Sequence, residues 1–461
     1  MYNVHPSQNC ASFFRDPSGF IFMRDGCVYR QINTIYKENY ELLVKSGLYR
    51  ELADEGLLIP HEEVASANPL PSNAYKIIKP EVVPFISYPY EWSFSQLRDA
   101  GLLTIEIQKK ALARGMSLKD CSAYNIQFRK GKPVFIDTLS FAAHEEGKPW
   151  VAYRQFCQHF LAPLALMSRK DIRLNQLLRI YIDGIPLDLA SSLLGIRAKS
   201  SISLFIHLYL HAKAQKFFSD KIIPAATGKM KLSSFLGLID NLESALRKMK
   251  LRAKESEWRD YYKESNYTPE ALAHKQEIVS GFLDRIHPGV VWDLGSNVGM
   301  FSRIAADKAM RVISLDNDPL CVEILYSECR RRGESNILPL VFDITNPSPG
   351  IGWENNERIT LLERGRPDAV LALALVHHLA IAHNLPLNTI SHFLSQISPW
   401  LIIEFVPKDD SQAQRMLAVR EDIFSEYCKE SFERALSAFF VIQECIQIKH
   451  SKRFVYLVSR I

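Results

Sequence analysis

From residue 287 onward, short apolar runs alternate with amphipathic stretches in a regular order. "GVVWDLG", "RVISLD", "ILPLVFD", "PDAVLALAL" and "PWLIIEFV" read as five strands, with helical spacing of apolar residues between several of them. Strands too apolar to alternate, separated by helices, predict a parallel sheet covered on both faces. The chain closes with "FFVIQECIQI", the turn "KHSK" and "RFVYLVSRI". Two strands joined by so short a turn must be antiparallel, so the sheet should end in a hairpin.

The first half has a different texture. "PSGFIFMRDGCVYRQ" predicts two strands joined at Asp25-Gly26, and "IYKENYELLVKSGLYRELADEGLL" predicts helix. "VVPFISYPYEWSF" suggests a strand and a turn, and "FSQLRDAGLLTIEIQKKALARG" a helix stopping at Gly115. Residues 150–215 read as mostly helical, and the charged, amphipathic stretch from 230 to 286 as a connector. The expected division is a first domain over 1–225, a helical connector or lid over 226–270, and a second domain over 271–461.

Composition narrows the class. At 47% hydrophobic and 23% charged residues the chain has globular usage, and its formal charge of +5 comes with no basic tract. Charge alone therefore does not imply nucleic acid. The eight cysteines are scattered, with no CxxC pair, as expected of reduced thiols in a cytosolic protein. "MYNVHPSQNC" has no basic region followed by an apolar core, so no secretory leader is expected. The most apolar window, "SISLFIHLYLHAKA", falls short of the ~20 apolar residues a membrane span requires. These features predict a cytoplasmic location without a membrane span.

"DLGSNVG" follows the first of the five strands and precedes the helical pattern "MFSRIAADKA". Glycines there let the backbone approach a ligand, but Gly295 and Gly299 are four apart with Asn297 between them, so a pyrophosphate fingerprint fails. The second strand ends in Asp316, 21 residues after Gly295 (316 − 295), where a carboxylate can accept two hydrogen bonds from ribose hydroxyls. The third ends in Asp343, placed to accept from an exocyclic amine. Each aspartate alone reads equally as a helix N-cap. Asp293, Asp316 and Asp343 at three consecutive strand ends beside one glycine turn predict a nucleoside pocket.

These residues resemble a known family. Residues about 255–461 look like a class I S-adenosylmethionine-dependent methyltransferase, with a first-strand "DLGSNVG", an acidic second-strand end and a C-terminal hairpin. Asn297 departs from the family's usual DxGxGxG turn at its middle position. The resemblance implies a Rossmann-like seven-stranded sheet with an antiparallel C-terminal hairpin and S-adenosyl-L-methionine as cofactor. It implies Asp293, Gly295, Asn297 and Gly299 around the methionine moiety, Asp316 on the ribose and Asp343 by the adenine. Upstream, Trp258, Tyr261, Tyr262 or Tyr267 would fold over the cofactor as a lid or simply pack a helix on the sheet.

Methyl transfer from a sulfonium is an in-line displacement, so alignment supplies most of the catalysis, and a base matters only if the acceptor must lose a proton. His377 and His378 follow the fourth strand, where ligands sit in open α/β sheets; they are candidate bases or structural caps of the next helix. Glu404 at the end of the fifth strand, with Lys408, Asp409 and Asp410 in the loop after it, forms a candidate wall of the acceptor pocket, with Glu404 a third catalytic candidate. The loop "NPSPGIGWENNER" is expected to line the site. The (N/D)PP(Y/F) signature of amino-methylating enzymes is absent, which favours an oxygen acceptor on a small molecule or glycan.

In the first half, "GMSLKDCSAYNIQFRKGKPVFIDTLSF" sets Asp120 and Asn125 five apart and Asp137 at the end of an apolar run. Protein kinases and aminoglycoside phosphotransferases show this order: a base aspartate, then an asparagine and a second aspartate that hold magnesium on ATP. The resemblance implies an α+β kinase-like domain with Asp120 as base and Asn125 and Asp137 as metal ligands. The glycine-rich loop and the lysine of the family are missing, Arg30 or Lys76 stands as substitute, and "SLKD" and "DTLSF" depart from its motifs. Active phosphotransfer and a degenerate, partner-binding version both remain open.

"SYPYEWSFSQL", "YNIQF", "FIDTLSF", "YRQFCQHFLAPLAL" and "LALALVHHLAI" together also resemble bacterial two-part methyltransferases grouped with NoeA-type nodulation proteins, over nearly the whole chain. That resemblance implies a glycan or lipo-oligosaccharide context. The expected function is methyl transfer to an oxygen acceptor recruited by the kinase-like half. A bifunctional kinase–methyltransferase acting on a saccharide and a non-enzymatic nucleoside-binding scaffold are the alternatives.

Overall fold

The computed structural model describes residues 15–65, 73–195, 202–210, 230–251 and 267–461. The lid candidates Trp258, Tyr261 and Tyr262 lie outside the described residues. The chain divides into two compact units: Met1–Ala253 with Pro349–Ile359, and Lys254–Ser348 with Thr360–Ile461.

In the first unit, β1 (Gly19–Arg24) and β2 (Cys27–Asn33) form the expected hairpin, turning at Asp25 and Gly26 with φ of 50° and 73°. Both turn residues lie in the left-handed region, which matches the twist of paired strands. With β3 (His61–Val64) and β4 (Ala74–Pro80) they make an antiparallel sheet in the order β1-β2-β4-β3. "VVPFISYPYEWSF" contains no strand: the strand lies earlier, at β4, and the stretch carrying Pro84 and Pro89 runs irregularly into a short helical turn. Proline removes the amide that a ladder needs.

The predicted helix after β2 is two helices, α1 (Lys37–Lys45) and α2 (Leu48–Asp54), broken at Gly47 with φ of 78°. Helix α3 (Phe94–Ala113) starts at a reciprocal cap between Ser93 and Gln96 and buries Leu97, Ala100, Ile105 and Ile107. Helix α4 (Leu232–Lys248), in the stretch expected to connect the domains, packs on α3. Lys109 bridges to Asp240 and Glu243, each at 2.6 Å, and a Cβ on Gly101 would meet Leu246 at 2.7 Å. Two small antiparallel pairs follow α3: β5 (Met116–Leu118) with β8 (Phe141–Ala143), and β6 (Ile126–Arg129) with β7 (Lys132–Phe135).

The second unit holds a seven-stranded sheet. Its strands are β9 (Val290–Leu294), β10 (Arg311–Asp316), β11 (Ile337–Val341), β12 (Ala369–Ala372), β13 (Trp400–Phe405), β14 (Phe440–Gln447) and β15 (Phe454–Arg460), in the order β11-β10-β9-β12-β13-β15-β14. β9 to β13 are mutually parallel, and β15 is antiparallel to both β13 and β14. All five predicted parallel strands and the closing hairpin are present. Buried side chains of α5 (Pro269–Ile286), among them Ala271, Ile278, Val279 and Phe282, join Val291, Val312, Leu371 and Ile402 in one core.

The registers decide what meets at the sheet edge. The carboxyl ends of β9 to β13 lie together, and Phe454 pairs with Phe405. The turn between β14 and β15 therefore falls on the same edge as the glycine turn. Among the described residues, no helix is long and apolar enough to cross a membrane.

Candidate functional site

The glycine turn after β9 is stitched to the neighbouring strand: Gly295 N and Ser296 N donate to the Leu315 carbonyl at 2.8 and 3.1 Å. Gly295, Asn297 and Gly299 all have positive φ, at 77°, 51° and 83°. Asn297 thus supplies the left-handed backbone that a middle glycine would, since asparagine tolerates that region better than most residues. Gly299 has no substitute, because a Cβ there would lie 2.3 Å from a Leu325 methyl.

The three acidic strand ends do different work. Asp316 accepts from Asn297 N at 2.6 Å through Oδ2 and from Asp318 N at 2.8 Å through Oδ1. Burial pushes its carboxyl up to about 6, against the pull of those two amides. Asp293 sits behind the turn, 2% exposed, where Ser302 Oγ donates to it at 2.6 Å and ties β9 to the helix α6 (Met300–Ala306). Burial pushes Asp293 up to about 7, with a smaller contribution from the Asp316 charge. Asp343 folds onto its own turn, accepting from Thr345 N at 2.8 Å and Thr345 Oγ1 at 2.6 Å.

A second cluster lies across the edge, at the ends of β12, β13 and the hairpin. Glu404 is fully buried and accepts from Lys275 Nζ at 2.6 Å, Ala374 N at 2.8 Å, the Tyr267 hydroxyl, and Arg453 at 3.5 Å. Burial alone would raise its carboxyl; the Lys275 and Arg453 charges outweigh it and hold the group below its ordinary range. Arg453 also forks onto Asp410 at 2.7 and 2.9 Å. Lys408 pairs with Asp422 at 2.8 Å, and Asp409 with Lys452. Beside this network opens a cavity of about 380 Å³ whose lining includes Tyr267, Asp409, Asp410, His450, Lys452 and Arg453.

His377 and His378 stand after β12 with their rings 4.2 Å apart. His377 is 0% exposed and neither ring nitrogen has a hydrogen-bond partner. Burial, then the charges of His378, Arg453 and Lys275, pushes it well below its ordinary value; burial pushes His378 down to about 4. Both rings are neutral at pH 7. An unpartnered, buried imidazole costs about 1–3 kcal/mol, which a ligand hydroxyl would relieve.

In the first unit, Asn125 and Asp137 meet at the Ser140 hydroxyl, and Asp120 lies near enough to feel the Asp137 charge. Asp137 forms a buried ion pair with Arg30 and accepts from Leu139 N at 3.1 Å and from the Ser140 hydroxyl; Asn125 Nδ2 donates to that hydroxyl at 3.2 Å. Asp120 accepts from Ser122 N and Gln155 Nε2, both at 2.8 Å; burial and then the Asp137 charge raise its carboxyl. Lys76 is engaged with Glu63. Part of the loop expected to line the methyltransferase edge, Pro349–Ile359, belongs to the first unit, where the Arg358 guanidinium lies 4.4 Å over the Tyr124 ring and Tyr88 donates to the Ile359 carbonyl.

Lys275, Arg453 and Ser302 were not marked by the sequence as functional. Lys275 carried a readable signal: it occupies a core position of α5, spaced with Ala271, Ile278, Val279 and Phe282. A lysine at such a position needs a buried partner, and Glu404 is that partner.

A seven-stranded α/β sheet with a glycine turn and acidic strand ends at its carboxyl edge defines a methyltransferase-like fold, the class that the sequence resemblance implied. The chain belongs to the family of the nodulation protein NoeA. It is 35% identical over 461 residues to that protein of Rhizobium meliloti (strain 1021), covering 98% of this chain and 96% of the relative. No family model matches. Among solved structures, it is similar to the N-methyltransferase NodS of Bradyrhizobium japonicum WM9 (13% identity, 41% of this chain and 97% of that one, TM-score 0.29). It is also similar to magnesium protoporphyrin IX methyltransferase of Synechocystis PCC 6803 with bound SAH (17%, 44% and 92%, TM-score 0.32). A third is the bifunctional kinase–methyltransferase WbdD (17%, 43% and 41%, TM-score 0.30).

Proposed function

We propose that the second unit transfers a methyl group from S-adenosylmethionine to an oxygen of a small-molecule or glycan acceptor. The observation that carries this reading is Asp316, held by two backbone amides at the end of β10 beside a turn with three positive-φ residues. The residues fit the cofactor. Asp316 has lone pairs left for ribose hydroxyls, and burial makes further donors welcome. In this reading Asp343 and the turn at Thr345 would serve the adenine, and Asp293, bonded to Ser302, would orient the turn from behind.

The bound cofactor supplies an electrophilic methyl on sulfur; the chain supplies alignment. His377, neutral and unpartnered, accepts a hydrogen bond from the acceptor hydroxyl and takes its proton as the bond to carbon forms, with His378 beside it. Glu404 serves as an anchor, since its donors already hold it, and through Ala374 N it fixes the turn that carries the histidines. Replacing His377 and His378 together with alanine should abolish transfer of a labelled methyl group to a cell-envelope glycan extract while leaving cofactor binding in place. Unchanged turnover would remove the histidines from the mechanism, and no turnover in the wild type across acceptors would favour the scaffold alternative.

For the first unit, the convergence of Asp120, Asn125 and Asp137 under a four-stranded sheet supports a kinase-like domain that recruits the acceptor. Magnesium–ATP does not fit its centre, because both oxygens of Asp137 are held by protein donors.

A further inference from the structure

The centre of the first unit has the residue types of a divalent-metal site and the contacts of something else. Arg30 reaches from β2 to Asp137 Oδ1, and the Ser140 hydroxyl donates to Oδ2, with side-chain exposures of 7% for Arg30 and 12% for Asp137. Asn125 turns its amide nitrogen, not its oxygen, toward Ser140 Oγ. Asp120 is turned to Ser122 N and Gln155 Nε2. A magnesium ion requires about six oxygen ligands at roughly 2.0–2.1 Å. Here the lone pairs it would use face nitrogen and hydroxyl donors. A guanidinium occupies the charged position, and unlike a lysine it cannot lose its proton.

We propose that Arg30 is a built-in counter-cation standing where a metal ion would bind, so that the centre of Asp120, Asn125 and Asp137 keeps its shape without metal and does not take magnesium–nucleotide. This does not depend on methyl transfer by the second unit. The neighbouring groups agree with it: Lys76, the other basic candidate for this place, is drawn to Glu63, and Lys119 donates to Ser18 Oγ at 2.8 Å. Arg30 is then the cation that neutralises Asp137.

The test uses the full chain, with Mn2+ as the metal probe and Mn2+ with ATP as the nucleotide probe. Free Mn2+ is followed by electron paramagnetic resonance, and folding by thermal unfolding. The wild type should leave the free Mn2+ signal equal to that of a protein-free control, with Mn2+ alone and with Mn2+ and ATP, and its Tm should not move in millimolar Mg2+. Arg30→Met should lower the Tm by roughly 6–20 °C, the scale for breaking a buried pair in a domain of this size, and should bind Mn2+. Adding Asp137→Asn to Arg30→Met should restore most of the lost Tm and abolish Mn2+ binding. If Arg30→Met cannot be purified, Arg30→Gln alone and combined with Asp137→Asn is read in the same way. Mn2+ binding by the wild type that disappears in Asp137→Asn overturns the proposal. So does an Arg30 variant that gains no metal, or a double variant no more stable than the single one.

Discussion

Two buried carboxylate centres, Asp137 of the first unit and the Asp293–Asp316 pair of the second, are satisfied in opposite ways. In the first, Asp137 is neutralised by Arg30 and finished by Ser140. In the second, Asp293 and Asp316 receive only hydroxyl and amide donors, and burial pushes them up to about 7 and about 6. A carboxylate with a guanidinium partner has little to gain from a ligand. One held in a dry place by backbone amides alone gains from every further donor. The same residue type thus has its charge cancelled at one centre and left to hydrogen-bond donors at the other, which is the proposed binding site, and the partner distinguishes them.

The largest effect lies in the buried Lys275–Glu404–Arg453 network of the second unit. Lys275→Met should destabilise that unit by about 3–5 kcal/mol, because it leaves Glu404 buried without its closest cation. Chemical denaturation read for that unit checks it. A loss below about 1 kcal/mol would show that Arg453 alone suffices.

Cofactor affinity should depend on pH through Asp316. The bound state needs the ionised carboxylate, and the free group titrates near 6, so binding releases a proton below that pH. Affinity should be flat above pH 7 and weaken by up to about tenfold per unit below 6. Titrations at several pH values test this, and a flat profile down to pH 5 would break the contrast.

The effect with the smallest slope at any one pH is on stability, through Asp293. Its folded carboxyl holds a proton to about pH 7, whereas the unfolded chain releases it near 4. The folded state therefore binds more protons between those values, and stability falls as pH rises through the window and levels off above 7. Asp293→Asn should make that slope shallower by at most about 1.4 kcal/mol per pH unit, measured as denaturation midpoints from pH 4 to 8.

How far the sequence carried the fold depended on the range of the interactions. The seven strands of the second unit, the Asp25-Gly26 hairpin and the start of α3 were legible because apolar runs, turn residues and caps are local signals. The break at Gly47 and the position of β4 were missed: the helical pattern runs on through a glycine, and β4 carries Lys76 and Lys79 among its apolar residues. At the end of β9, the glycine turn and the aspartate facing it from β10 were readable from spacing as local features of the chain. The Lys275–Glu404–Arg453 network was not, since it joins a helix, a strand and a hairpin turn far apart in the chain. The trio Asp120, Asn125 and Asp137 was readable for the same local reason, while the ion pair that decides its chemistry comes from the distant strand β2.

The central claim is that the crevice at Asp316 holds S-adenosylmethionine. Calorimetric titration of the methyl donor into the wild type and into Asp316→Ala tests it most directly. The wild type should bind one equivalent with micromolar or tighter affinity, and the variant should lose about 1.5–3 kcal/mol for each charged hydrogen bond removed. Equal affinities in the two proteins, or no binding to the wild type, would contradict it.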